Sequence, residues 1–232
     1  MDDRDSLQEL FSIVSDYASL RNLPLTALAL PFMQERFGMG CDVYYRRRLS
    51  VCRTLIDLDL PIEHSRLDTL LAVTASHYLP LDIVPADQDE IQKLLFENNA
   101  EAADIFRKLK SSDPSDDEAY NTLMQNRYAL LIRLAERSVL VESLYEWPVE
   151  DARRDIAETR RYFAPMAEYA MQNYSEFLGA LTILREKTRC LVAANEALLN
   201  RYEEIENPLL AELEALEKEN AALKAALEKN NK

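Results

Sequence analysis

The chain has 232 residues, 48% of them hydrophobic, enough for one large helical domain or a domain with an extension. A formal net charge of −14 and a pI near 4.7 weigh against nucleic-acid or anionic-membrane partners, because phosphates attract basic surfaces. Cys41, Cys52 and Cys190 are widely spaced and form no CxxC pair, which fits buried thiols in a reducing compartment better than disulfides or a zinc site.

Glycine occurs only at Gly38, Gly40 and Gly179, while Leu, Ala, Glu and Arg dominate, so the expected class is all-α. A first helix is predicted over residues 6–20, where Leu7, Leu10, Phe11, Val14 and Tyr17 recur at helical spacing. A second runs over 25–37 with Pro31 as a kink, and GMGCD after it reads as a turn. The stretch YYRRRLSVCRTLIDLDL follows as a helix with Leu49, Cys52, Leu55 and Ile56 on its apolar face, closed by Pro61. Ser65 and Asp68 suggest a capping box for the next helix, HSRLDTLLAVTASHYLP, which is apolar on nearly all sides and is expected at the centre. One amphipathic helix over 89–109 is expected next, then an exposed loop SSDPSDD. Two long helices, 118–145 and 149–174, are separated by Trp147-Pro148. The Tyr and Phe residues of the second, including Tyr162, Phe163, Tyr169 and Tyr174, are expected in the core.

The last helix starts near 175 and is expected to reach the end, interrupted or bent only at Pro208. Leu184, Leu191, Leu198 and Ile205 recur at sevens, and beyond Pro208 the residues Leu209, Leu213, Leu216, Asn220, Leu223 and Leu227 form a 4-3 seam. With Leu216 and Leu223 at d, Asn220 falls at a, and Glu219 and Lys224 become an attractive interchain pair in a parallel dimer. These six seam residues are the predicted dimerisation site, and the stretch before Pro208 is expected to pack partly on the domain. No apolar run reaches about 18 residues, so no membrane span is expected. The charged start MDDRDSLQEL does not read as a signal peptide, and a cytoplasmic location is expected.

Four consecutive stretches carry a family likeness: YYRRRLSVCRTL, DTLLAVTASHYLPLDI, EIQKLLFENNAEAADIFRKLKS, and ALLIRLAERSVLVESL followed by ARRDIAETRRYFAPMAEYA. In order and spacing they resemble the HD-domain metal-dependent phosphohydrolases. The likeness is closest to the hydrolase half of RelA/SpoT-type (p)ppGpp enzymes and their stand-alone bacterial relatives, and it covers residues 44–174. It implies an HD-domain-like helical bundle over 1–180; with the seam read above, a connecting helix over 181–207 and a coiled-coil tail over 208–232 follow it.

The resemblance also implies a divalent metal such as Mn, held by a His, an adjacent His-Asp pair and a late Asp, with a Glu-Asp pair serving the attacking water. Here the first ligand position falls on Arg47, the His-Asp pair reads His77-Tyr78, the Glu-Asp pair reads Leu81-Asp82, and the late Asp is Glu136. Arginine and leucine offer no lone pair to a metal. These positions are therefore expected to be vestigial, without cofactor, and Arg47 is a candidate to pair with Glu136 where a metal would sit. The run Arg46, Arg47, Arg48 is a possible anion contact or a solvated helix face. The function implied is a degenerate HD-type pseudoenzyme, a nucleotide- or partner-binding helical module that forms a homodimer. The alternatives are an active metal-dependent phosphohydrolase acting on (p)ppGpp or another nucleotide, and a structural coiled-coil adaptor.

Overall fold

Apolar spacing of three and four residues, with few glycines to interrupt it, produces helix throughout a computed structural model, which describes residues 3–37, 42–77, 93, 96–110 and 117–230. Ten α-helices and no strand occur among the described residues. They are α1 Asp3–Leu20, α2 Pro24–Phe37, α3 Asp42–Asp57, α4 His64–Ser76, α5 Ala100–Lys110, α6 Asp117–Met124, α7 Arg127–Glu142, α8 Val149–Glu158, α9 Ala164–Asn173 and α10 Leu178–Asn230. No helix among the described residues is long and apolar enough to cross a membrane.

The central elements are α4 and α7. Every residue of α4 from Asp68 to Ser76 is buried, as its all-round apolar sequence predicts, and the helix packs on α2, α3, α5 and α7. Each fully buried Leu or Val there contributes about 1.5–3 kcal/mol relative to exposure. The helix α7 is buried almost end to end and packs on α3, α5, α6, α9 and α10.

Asp68 does not cap its own helix. Glu63 is the N-cap of α4 and makes no side-chain cap bond. The buried Asp68 carboxylate instead accepts from the backbone N–H groups of Leu25 at 2.9 Å and Thr26 at 2.7 Å, and from the Thr26 hydroxyl at 2.7 Å. These are orphan donors of the first turn of α2, where a carboxylate also meets the positive end of the helix dipole. One charged side chain thus fixes α2 against α4.

Two expected long helices are broken. The 89–109 helix has a turn at Glu97 to Asn99, and Asn99 Oδ1 accepts from Ala102 N–H at 3.0 Å to start α5. The 118–145 helix breaks at Gln125-Asn126, where Asn126 Oδ1 accepts from Tyr128 and Ala129 N–H at 3.1 and 3.0 Å. The expected loop SSDPSDD lies, but for Asp117, outside the described residues, as does the GMGC part of the expected turn.

Residues 149–173 form one rod interrupted by a π turn at Thr159–Phe163, in which the Ala164 N–H donates to Thr159 C=O five residues back. The cause lies two residues further on. Pro165 lacks an N–H, and its ring would collide with the carbonyl of residue 161 in a regular helix; the wider turn makes room.

The last helix, 53 residues and about 80 Å long, runs unbroken through Pro208. Its first half packs on the domain through Leu181, Leu184, Val192, Asn195 and Leu199, and Asn195 Nδ2 donates to Val141 C=O at 2.9 Å. Arg153 reaches Glu203 at 2.6 Å. Beyond that point the described side chains are exposed, Ile205, Leu209, Leu213 and Leu216 among them. Of the expected sevens, only Leu184 is buried; Leu191 is half-buried and Leu198 is exposed, because a straight helix drifts from a seven-residue repeat. Phe163 is buried, and Tyr162, Tyr169 and Tyr174 pack half-buried on the core. Cys52 is buried as expected, but Cys190 is exposed, and Cys41 lies outside the described residues.

Candidate functional site

Four ionisable side chains converge at the centre of the bundle, from three helices. Arg48 comes from α3, His77 from the residue that ends α4, and Arg133 and Glu136 from one face of α7. All four are buried, His77 to 1% exposure. An unpaired charge there would be strongly destabilising, so each must find a partner. Arg48 Nη1 donates to Glu136 Oε1. Arg133 Nη1 donates to Glu136 Oε2 at 2.8 Å, while its Nη2 donates to Leu109 C=O at 3.1 Å. His77 Nδ1 stands 3.5 Å from Glu136 Oε1, and the imidazole meets Phe106 edge to face at 5.8 Å. Neither ring nitrogen has a hydrogen-bond partner among the described residues.

The electrostatics follow from this geometry. Burial alone would raise the Glu136 carboxyl, but the Arg48 and Arg133 guanidiniums, with His77, hold it well below the usual carboxylate range. Burial lowers His77 to about 4: the loss of water outweighs the attraction of Glu136, and the two arginines add a smaller push in the same direction as burial. At neutral pH the cluster is two cations, one anion and a neutral imidazole. Just outside it, burial raises the Cys52 thiol to about 12; its Sγ donates to Leu71 C=O at 3.7 Å, so it is an inert packing group.

The guanidinium that meets Glu136 belongs to Arg48, one residue later than the resemblance places it. Arg47 lies with its guanidinium 5.9 Å from the centre of the Trp147 ring. Successive residues on a helix point about 100° apart, so Arg46, Arg47 and Arg48 do not share one face: Arg48 is buried and the other two are half-buried. Tyr78, Leu81 and Asp82 lie outside the described residues. Of the tail positions, Leu209, Leu213, Leu216 and Asn220 are exposed, while the side chains of Leu223 and Leu227 lie outside the described residues.

The described residues of this cluster supply few of the donors that a hydrolytic metal needs. Such a site needs several lone pairs converging on one point, with a position left for water. Here His77 and Glu136 are the donors, both Glu136 oxygens are taken by arginines, and no group of three or more His, Cys, Asp or Glu converges among the described residues. A dication against Glu136 would sit beside a fixed guanidinium charge that repels it.

Sequence reasoning missed Arg133 altogether. Its signal was present: Arg133 and Glu136 stand three apart, on one face, in the mostly apolar stretch ALLIRLAERSVL, so each is expected to be buried and to need an opposite charge. Arg137, the next residue, belongs to a separate network. It bonds Asp155 at 2.7 Å and Glu158, and its guanidinium covers Phe163 at 4.0 Å from the ring centre.

No protein-family model matches the chain, and neither a curated protein nor a solved structure matches it.

Proposed function

We propose that the chain is a non-catalytic helical module of HD-domain type, which works by pairing with a second copy of itself through its C-terminal helix. The observation that carries this is the row of exposed apolar side chains Leu198, Tyr202, Ile205, Leu209, Leu213 and Leu216 on one helix. Leaving such a row in water forgoes about 25 cal/mol for each Å² of apolar area. A second copy is the occupant favoured because Asn220 continues the row at a core-type position. Asparagine in a seam is best satisfied by the same residue on an identical, in-register helix.

The ordered likeness over residues 44–174 supports the HD-type assignment. Arg48 and Arg133 on Glu136 support the absence of chemistry, since a guanidinium takes the place that the likeness gives to a metal. The competing reading, a phosphohydrolase acting on (p)ppGpp, rests on His77 and Glu136, and on Asp82, which lies outside the described residues. A nucleotide remains the ligand class that the likeness would suggest for the module.

The experiment is light scattering on the full chain beside the double variant Leu213→Lys, Leu216→Lys. Both positions are exposed, so the domain keeps its fold. A dimer that becomes a monomer in the variant is the expected result. A wild type that stays monomeric at high concentration refutes the pairing, and stoichiometric bound Mn with turnover of a nucleotide would return the assignment to the hydrolase.

A further inference from the structure

A cavity of about 700 Å³ lies between α7, the π turn and the first half of α10. It opens on a different face of α7 from the Glu136 cluster: Leu134 and Arg137 line it, each one residue on from Arg133 and Glu136. Its size falls within the range of small-molecule sites, about 300–1,000 Å³. The inner wall is aliphatic, made by Leu134, Ala167, Leu184 and Val192 with Phe163 beside them, and all five are buried.

The charge of the lining runs against the rest of the molecule. The chain carries 41 acidic residues to 27 basic ones, yet the lining has four arginines, Arg137, Arg160, Arg185 and Arg189, against two glutamates, Glu168 and Glu186. Arg137 is committed to Asp155 and Glu158 within the fold. Arg185 and Arg189 sit nearer the mouth, paired with Glu168 and Glu186 in solvent-accessible contacts at 2.7–2.9 Å. Exposed pairs of this kind are worth about 0–1 kcal/mol, so an incoming anion can recruit these arginines at little expense. The π turn supplies the opposite wall through Thr159, Arg160 and Phe163, and π turns recur where a helix is shaped for a ligand.

We propose that this cavity binds an amphipathic organic anion of the medium-chain alkanoate class. Its chain lies against Leu134, Ala167, Leu184 and Val192, and its carboxylate sits at the mouth between Arg185 and Arg189. An aliphatic body fits better than a nucleobase. One face of Phe163 is already covered by Arg137, and the Thr159 hydroxyl is spent on Asp155 C=O at 2.7 Å, leaving little to stack on or to read a base edge. The site is independent of the pairing of the C-terminal helices.

The test is calorimetric titration of the full chain with decanoate below its micellar concentration, beside 1-decanol, acetate and AMP. Decanoate is expected to bind saturably at one per chain and to raise the melting temperature, as a native-state ligand must. Decanol should bind about tenfold or more weakly, the loss of one charge-assisted contact, and acetate not at all, while AMP should not compete with decanoate. Arg185→Gln with Arg189→Gln should weaken decanoate about tenfold and leave decanol unchanged. Ala193→Trp, at an exposed position of the mouth, should remove both while helicity is retained. Absence of saturable decanoate binding, binding indifferent to these variants, or AMP bound in its place would overturn the proposal.

Discussion

Glu136 can be ionised at the centre of the bundle only because two guanidiniums meet its two oxygens, while burial keeps His77 neutral. An imidazole that takes a proton there would add a third cation to a site that already holds two. The consequence is a pH dependence with a definite sign. His77 is lowered in the folded chain to about 4, below its unfolded value near 6.5. Between those values the unfolded state binds the extra proton, so stability is full above pH 6.5 and is lost as the pH falls toward 4. The loss attributable to His77 is up to about 3 kcal/mol. Glu136, also lowered, adds its own loss only below its unfolded value near 4.5, so the interval from 6.5 to 5 belongs to the histidine. Urea unfolding at pH 7, 6 and 5 should show the wild type weakening across that interval and His77→Gln changing much less; parallel behaviour of the two chains would refute the assignment. At this scale the sequence was legible to within one residue. The likeness assigns His77 and Glu136 to one site, and their side chains stand 3.5 Å apart, but it puts Arg47 where Arg48 stands, because an aligned motif has no angular resolution and one step along a helix is about 100°. The role of Asp68 was not legible at all, since the helix it caps begins more than forty residues earlier.

Helix class and most helix positions followed from apolar periodicity, and the central place of α4 followed from its lack of a polar face. The breaks at Glu97 to Asn99 and at Gln125-Asn126 did not. Periodicity continues through both without Pro or Gly, and the chain turns because an asparagine side chain satisfies the first N–H groups of the following helix. The π turn was hidden for a related reason: Pro165 signals a disturbance but does not say whether the helix will kink, stop or widen. Asn126 makes the cap testable. It serves Tyr128 and Ala129, and its Nδ2 also donates to Asp104 at 3.1 Å, tying the start of α7 to α5. Asn126→Ala is expected to cost about 1–2 kcal/mol and to lower the melting temperature by roughly 2–8 °C in a chain of this size. A change below half a degree, measured calorimetrically, would mean that the cap is not what starts the helix.

The molecule as a whole is a helical bundle anchored to one end of a rod. The rod is held to the bundle as far as Glu203, and the 27 residues from 204 to 230 extend about 40 Å further. Along its exposed row the apolar spacings from Leu198 to Leu216 are four, three, four, four and three. The consecutive fours, from Ile205 to Leu209 and from Leu209 to Leu213, form a stutter, which locally unwinds a left-handed coil, and Pro208 falls inside it. The local unwinding thus coincides with a residue that has no N–H to donate within the helix. Below the stutter the seam is regular, and Asn220 is its single polar member. If two copies pair in parallel and in register, the two Asn220 side chains bond each other; any shifted or antiparallel arrangement strands them against leucine. Asn220 therefore trades affinity for a defined pairing, and its replacement should reverse the trade. Asn220→Leu is expected to tighten association at least tenfold, about 1.4 kcal/mol or more, and to admit species larger than dimers. The repulsive pair Glu212–Glu217 and the attractive pair Glu219–Lys224, both formed across the same parallel dimer, are unchanged by the substitution, so the salt dependence of association should be the same in both chains. Sedimentation equilibrium over a range of concentrations reads both the affinity and the stoichiometry. An unchanged dimer in Asn220→Leu would place residue 220 outside the contact, and weaker association would show that the asparagine bonds something other than its own copy.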